Sequence, residues 1–109
     1  MTLRALAMLG IAYDSSHCPA LTGGACRISL GADVRDPVHH LGVIEVPAGS
    51  IGTLGGGQRH AQITALTLGE MLAAIAHARD CQRESFTLVS HSFELINRRK
   101  LAVNPIVRR

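Results

Sequence analysis

Residues 67–91, TLGEMLAAIAHARDCQRESFTLVSH, contain an amphipathic helix followed by an apolar strand. Thr67 can cap the helix, and Glu70 stands three positions later, which is the spacing of a capping box. Apolar side chains then recur at helical intervals and share one face. These are Leu68, Met71, Leu72, Ile75 and Ala76. The spacing predicts a helix over residues 68–79.

The segment at residues 85–90 (SFTLVS) is nearly continuously apolar, as expected for a strand that is covered on both faces. Two more strands are predicted upstream, over residues 11–13 and 41–46. A helix over residues 2–9 precedes the first of them, and Asn104-Pro105 has the form of a helix start. Alternating helices and strands indicate an α/β fold.

Two long connections, residues 14–40 and 49–62, separate these elements. Structureless connections of this length are unusual in a compact domain, and they fit the active-site loops of a larger barrel better. The composition agrees with that interpretation, because only 3% of the 109 residues are aromatic: Tyr13, Phe86 and Phe93. A self-standing core of this size usually holds more aromatic area, so we expect residues 1–109 to be part of a larger domain.

The charge pattern is only mildly basic, with a formal net charge of +3. Five cations cluster near the C-terminus, and an Arg-rich terminus with a single nearby ring is more typical of a solvated tail than of a nucleic-acid site. They are Arg98, Arg99, Lys100, Arg108 and Arg109. No stretch approaches the length of a membrane span. The apolar run at residues 5–12 has no cleavage site after it, so the compartment is undefined, with the cytoplasm as default.

Three cysteines, Cys18, Cys26 and Cys81, stand at uneven spacing without a C-x-x-C motif. Cys18 and Cys26 lie eight positions apart across a Gly-rich turn. They are able to form a loop disulfide in an oxidising compartment, or to stay as free thiols. The sequence leaves both states open.

Neither the glycine run nor the histidines form a recognised ligand motif. Residues 55–57 (GGG) lack the flanking residues of a phosphate-binding loop and are expected to be surface loop. The six histidines include no H-x-x-x-H pair, so no local metal site is predicted. A site assembled from the distant residues His17, His39 and His60 stays an open alternative.

Two short segments carry candidate catalytic groups. Residues 14–17 (DSSH) contain the residue types of a hydrolytic triad, but consecutive residues cannot orient one another, so a structural turn is expected. His91 is a better candidate, because it follows the apolar strand at its carboxyl end, where α/β proteins display catalytic groups. An imidazole there can act as a general acid towards a leaving amine.

Residues 88–95 (LVSHSFEL) resemble the last strand motif of the polysaccharide deacetylase family. Three other stretches agree with that family in order and spacing: residues 3–16 (LRALAMLGIAYDSS), 43–47 (VIEVP) and 104–107 (NPIV). The resemblance covers nearly the whole chain but only the C-terminal portion of the family's domain. It implies part of an irregular (β/α)7 barrel, in which the strands at residues 11–13, 41–46 and 85–90 lie parallel and His91 stands on the rim.

The same resemblance implies removal of N-acetyl groups from amino-sugar polymers. A divalent metal, often zinc, polarises the amide and activates water, while an aspartate acts as base and a late histidine acts as acid. Of these groups only the histidine maps onto this sequence, as His91, with Leu88 and Val89 in the apolar wall beside it.

The chain departs from the family in three places, because the early Asp-Asp strand motif, the histidine metal motif and the arginine-proline motif have no counterpart. We therefore expect no metal in this chain, little or no hydrolysis from it alone, and an open barrel edge through which it self-associates. The expected partner is a carbohydrate polymer.

Two other functional classes are compatible with the sequence. One is a small basic α/β module whose C-terminal arginines bind an anionic partner, with an affinity that falls as salt rises. The other is a non-functional remnant that folds poorly.

Overall fold

The computed structural model describes residues 2–97 and 101–103, so the basic tail and the expected helix start at Asn104-Pro105 lie outside the described residues. These residues form a mixed α/β structure with three small sheets and two helices longer than one turn. Among the described residues, no helix is both long and apolar enough to cross a bilayer.

The first sheet contains the predicted parallel pair. Helix α1 (Thr2–Met8) leads to strand β1 (Tyr13–Asp14), which pairs in parallel with β3 (Val43–Glu45), so that Asp14 lies opposite Glu45. Strand β2 (Val38–His40) pairs antiparallel with the other side of β3, which gives the order β1-β3-β2. The parallel relation of the first two predicted strands is confirmed, although both are shorter than predicted.

Strand β2 lies in a segment predicted to be loop, and the start of the predicted strand 41–46 is instead a turn. Leu41 and Gly42 both have positive φ, 51° and 90°, as in the tight turns that join antiparallel strands. Gly42 also faces α1, where a Cβ would lie 2.8 Å from Ala7 Cβ. Glycine is therefore needed here both for backbone conformation and for the close approach of the helix.

The Gly-rich segment 49–62, predicted to be a surface loop, contains a β-hairpin. Strands β4 (Ser50–Gly52) and β5 (Gln58–His60) pair antiparallel around residues 53–57. The turn closes on itself, because Thr53 N–H donates to Gly57 O at 2.9 Å and Gly56 adopts a φ of 78°. The three glycines at residues 55–57 therefore form part of the hairpin turn.

Helix α2 (Leu68–Asp80) confirms the predicted helix, including its capping box. An apolar stripe usually faces a core. Here only Ala78 is fully buried, whereas Leu68, Leu72 and Ile75 are 71%, 58% and 45% exposed. The predicted apolar face is therefore largely open to solvent.

The predicted strand 85–90 is present only as two isolated parallel bridges, Ala48 with Thr87 and Gln62 with Val89. Gly49 N–H donates to Thr87 O at 2.8 Å, and Val89 N–H donates to Ala61 O at 2.8 Å. Because the segment changes partner within two residues, it never forms a continuous ladder with either neighbour. It nevertheless runs parallel to the chain that leaves β3, as predicted.

The last elements are one helical turn, α3 (Ser92–Leu95), and a short hairpin of β6 (Ile96–Asn97) with β7 (Ala102–Val103). The buried apolar core of the described residues is small and consists mostly of small side chains. It contains Leu3, Val43, Ala48, Ala61 and Ala78.

Candidate functional site

His91 stands where the sequence predicts it, directly after the segment that bridges to Ala48 and Gln62. It is the N-cap residue of α3, with an extended backbone at φ −119° and ψ 141°. Its side chain is exposed, and its ring stacks on Phe93 with centroids 4.9 Å apart and planes 9° from parallel. The stacking limits the orientations of the imidazole while leaving it accessible to solvent.

The carboxyl group of Glu94 lies beneath this turn, with only 7% of the residue exposed. The Gln62 side-chain amide donates to Glu94 Oε1 and approaches Thr64 Oγ1 at 3.4 Å. On its other side, Gln62 Oε1 lies 2.8 Å from His60 Nε2. The arrangement connects β5 and the residues after it to α3.

Electrostatics favour a charged Glu94. Burial alone would raise the pKa of this carboxyl, but hydrogen bonds from Thr64, Gln62 and the His91 backbone amide, together with the His91 imidazole, lower the pKa below its ordinary value. Glu94 Oε2 is buried and has no hydrogen-bond partner among the described residues. A negative charge is therefore held beside His91.

This geometry supports proton transfer at the surface by His91, with Glu94 fixing the turn that carries it. Leu88 and Val89, expected in an apolar wall, are half-buried. Gln62, Thr64 and Glu94 also belong to this site, although their sequence context does not single them out. Glu94 stands three positions after His91, which is the spacing between an N-cap residue and an acidic N3 residue at a helix start, and this pattern could have indicated it.

A second polar cluster occupies the carboxyl end of β1 and β3. Glu45 and His17 are fully buried, and His17 N–H donates to Glu45 Oε1 at 2.7 Å. Burial, followed by contact with the Asp14 carboxyl, raises the pKa of Glu45, although hydrogen bonds from backbone amides partly offset this effect. Ser15 Oγ donates to Val46 O at 2.7 Å. The turn expected at residues 14–17 is not formed, because Asp14 belongs to β1 and the following residues continue beside residues 46–48 without a turn or bend. The Asp14 carboxyl is directed to Glu45.

The three separated histidines do not assemble into a ligand cluster. His17 is buried beside Glu45, His39 is exposed on β2, and His60 contacts Gln62. Within residues 2–97 and 101–103, no group of three or more His, Cys, Asp or Glu side chains is arranged to hold a metal ion. The zinc that the resemblance implies therefore does not fit the described residues.

A cleft of about 640 Å³ lies between α2 and the β4–β5 hairpin. Its lining includes Phe86, His77, Arg35 and Arg83. Arg83 is paired with Asp36 at 3.1 Å, whereas Arg35 donates to the neutral Ser50 hydroxyl at 2.7 Å and has no carboxylate partner among the described residues. The cleft thus presents the Arg35 guanidinium without a carboxylate partner among the described residues, while the Glu70 carboxylate that also lines it is paired with Arg59.

All three cysteines are free thiols, of which Cys81 is exposed and Cys18 and Cys26 are half-buried.

No protein-family model matches this sequence, and neither a curated protein nor a solved structure is significantly similar to it.

Proposed function

We propose that this chain is a polysaccharide deacetylase-like protein in which His91 donates a proton to the amine that leaves an N-acetylated amino sugar. One observation carries the proposal. The accessible imidazole of His91 stands at the carboxyl end of a segment in parallel register with the chain leaving β3, and a charged, buried carboxylate lies three residues later.

The chemistry requires a donor of this kind. An amine leaves an amide only when it is protonated, and an imidazole can hold and release a proton near neutral pH. The Glu94 carboxylate interacts with the backbone amide of His91, and Phe93 stacks on its ring. Backbone and side chain are therefore both fixed, as a proton donor requires.

The proposed ligand is an oligomer of N-acetylated amino sugars. In the family that the sequence resembles, the metal supplies Lewis-acid activation of the amide. Because the described residues do not fit such an ion, we assign no metal-dependent step to them. The proposal for this chain is polymer binding at His91 and α3, together called the His91 turn, and proton donation by His91.

Arg35 favours a second candidate, a module that binds an anionic partner. Its guanidinium faces the cleft and has no carboxylate partner in the described part of the chain. The C-terminal arginines lie outside the described residues, so the cleft is the structural basis for this alternative.

The test is a titration of the intact chain, followed by backbone and imidazole NMR. The ligands are N-acetylglucosamine oligomers, uncharged glucose oligomers of equal length, and an oligosaccharide that carries carboxylates. The acetylated oligomer is expected to shift the signals of His91 and Phe93, and His91→Gln is expected to weaken binding several-fold. His39→Gln, which alters an exposed histidine on β2, is the matched control.

The same samples are assayed for acetate release. If hydrolysis is measurable, His91→Gln should lower kcat by about 10²–10⁴-fold, which is the usual contribution of a general acid. Turnover unchanged in His91→Gln would contradict the proton-donor role. Shifts centred on Arg35 with the carboxylated ligand alone would favour the anion-binding module.

A further inference from the structure

Cys18 and Cys26 approach each other across one short loop. Cys18 N–H donates to Cys26 Sγ at 3.4 Å, and because an N–Cα bond adds only about 1.5 Å, the Cys26 sulfur lies within about 5 Å of the Cys18 Cα. Cys26 N–H also donates to Leu21 O at 3.1 Å, which fixes the return of the loop. Rotation about the Cys18 Cα–Cβ bond can place the Cys18 sulfur on the side of its backbone nitrogen, which is the atom that the Cys26 sulfur already contacts.

The Cys26 thiol also faces a histidine whose tautomer the structure indicates. His17 is fully buried, and its Nε2 lies 3.1 Å from the carbonyl oxygen of Gly31. A carbonyl only accepts, so Nε2 carries the proton, and the Nδ1 of the neutral ring is an acceptor. Cys26 Sγ lies 3.7 Å from Nδ1 and 3.8 Å from Ser16 O, so the imidazole is one of two acceptors within reach of the thiol proton.

The two sulfurs are chemically unequal. Of the two, Cys26 has an imidazole nitrogen beside its sulfur, and an adjacent base can take up the thiol proton as the sulfur attacks. Cys18 has no imidazole neighbour among the described residues, and burial raises the pKa of its thiol more than the amides of Ala20 and Leu21 lower it. Cys26 is thus suited to react first with an oxidant, and Cys18 is suited to attack the product.

We propose that Cys18 and Cys26 form a reversible redox pair, which a hydroperoxide converts to an intramolecular disulfide. In the first step the Cys26 thiolate attacks one peroxide oxygen, forms a sulfenic acid and expels hydroxide, so sulfur is oxidised and peroxide is reduced. In the second step the Cys18 sulfur attacks the Cys26 sulfur, and water leaves. A dithiol restores both thiols by exchange.

Disulfide formation has a defined structural consequence. Once it is bonded to Cys18, the Cys26 sulfur carries no proton and no longer donates a hydrogen bond to His17 Nδ1. His17 in turn donates its backbone amide to Glu45. Oxidation of the loop should therefore alter the environment of the buried His17–Glu45 pair at the end of β1 and β3. This inference does not depend on the proposed function.

Cys81 provides an internal comparison. It is exposed, and its sulfur lies 3.6 Å from His77 Nε2, yet no second cysteine contacts it in the described part of the chain. Cys81 shares the imidazole neighbour and the access to oxidant, but it lacks the second thiol. Its oxidation should stop at sulfenic acid or lead to bonds between molecules.

The experiment treats the reduced intact chain with equimolar hydrogen peroxide, alkylates the remaining thiols and locates the products by mass spectrometry. We expect a Cys18–Cys26 cross-link within one molecule, seen as a mass that is lower by two hydrogen atoms. Cys81 should be alkylated or separately oxidised. The bond should form equally in Cys81→Ser and should be absent in Cys18→Ser, where Cys26 is instead trapped as sulfenic acid.

A second measurement follows the His17 imidazole by NMR, where the cross-link should shift its signals and dithiothreitol should restore them. The inference is overturned if Cys18 and Cys26 remain alkylatable while Cys81 is oxidised. It is also overturned if disulfides form only between molecules. Both results are readable on the wild-type chain, so neither depends on a variant that folds.

Discussion

Glu45 is a carboxyl group with no exposed surface, and it contacts a second carboxyl group, that of Asp14. Its Oε1 accepts from His17 N–H, while its Oε2 and Asp14 Oδ2 have no hydrogen-bond partner among the described residues. Two carboxylates in contact cannot both ionise at low cost. Burial and the neighbouring carboxyl therefore favour the protonated form of Glu45 and raise its pKa.

Stability should consequently depend on the ionisation of Glu45. A pKa raised on folding means that the folded state binds the proton more tightly than the unfolded state. The stabilisation is fully present below the ordinary glutamate value of 4.5 and is lost as the pH rises through the raised value. We expect Glu45→Gln, which cannot ionise and still offers an acceptor to His17 N–H, to abolish this part of the pH dependence.

The measurement is urea unfolding of wild type and Glu45→Gln from pH 4 upward. The variant should gain stability relative to wild type as the pH rises. The exposed Glu84 serves as the control position, and Glu84→Gln should follow the wild-type curve. A constant difference between wild type and Glu45→Gln across the pH range would contradict the raised pKa of Glu45.

At the scale of single residues, the sequence predicted the position of His91 but not its neighbours. The position follows from a local pattern, an apolar run that ends at a histidine. Gln62 and Thr64 come from a segment about 30 residues away along the chain, and they reach Glu94 only because residues 61–63 lie beside Val89 in the fold. No local pattern encodes that pairing.

Among the elements, α2 has the most complete local support. Glu70 N–H donates to Thr67 Oγ1 at 3.2 Å, and Thr67 N–H donates to Glu70 Oε2 at 2.8 Å. The backbone and side chain of Thr67, followed by the Arg59 guanidinium, lower the pKa of Glu70. This stabilisation is present above the ordinary pKa of glutamate and is lost as the pH falls through the lowered value.

Removal of the cap should have a measurable cost. Thr67→Ala deletes the acceptor for Glu70 N–H, and such substitutions usually lower the free energy of unfolding by about 1 kcal/mol. Thr67→Ser retains the hydroxyl and is the control, with a much smaller expected loss. Both are measured by urea unfolding at neutral pH. Equal losses in the two variants would show that the methyl group, not the cap, stabilises the helix.

The elements that the sequence did not predict depend on distant contacts. Strands β4 and β5 are three residues each and rich in glycine and polar residues, so their local preference for strand is low. Arg59 forms an ion pair with Glu70 of α2, and Arg35 donates to Ser50. These side chains attach the hairpin to the rest of the structure, which a propensity argument cannot foresee.

The molecule as a whole is expanded for its length. Its radius of gyration is 15.6 Å, against about 13 Å for a compact chain of this size. Its accessible surface is 7827 Å², against about 5,800 Å² for a compact monomer. The low aromatic content agrees with this small core. Met8, Leu9, Ile11 and Tyr13 are exposed beside β1, which is an edge strand of its sheet.

An exposed apolar edge should promote association between copies of the chain. We expect the average mass in solution to rise above 11.6 kDa with concentration, and Tyr13→Lys to oppose that rise, because a charge at the edge disfavours pairing. Sedimentation equilibrium or light scattering after gel filtration measures the mass.

Leu54, fully exposed at the hairpin turn, is the control position, and Leu54→Lys should associate like wild type. A wild-type mass that is independent of concentration would contradict association through this edge, as would an equal effect of both lysine substitutions.

The turn of the β4–β5 hairpin also has a practical consequence. Its hydrogen bonds close within residues 53–57, and the Leu54 side chain touches little of the molecule. Exposed loop tips with self-contained bonding tolerate inserted peptides and chemical labels well. An epitope or fluorophore placed at this tip would reveal the location of the chain in cells or on a surface. It would lie outside both the His91 turn and the loop between Cys18 and Cys26.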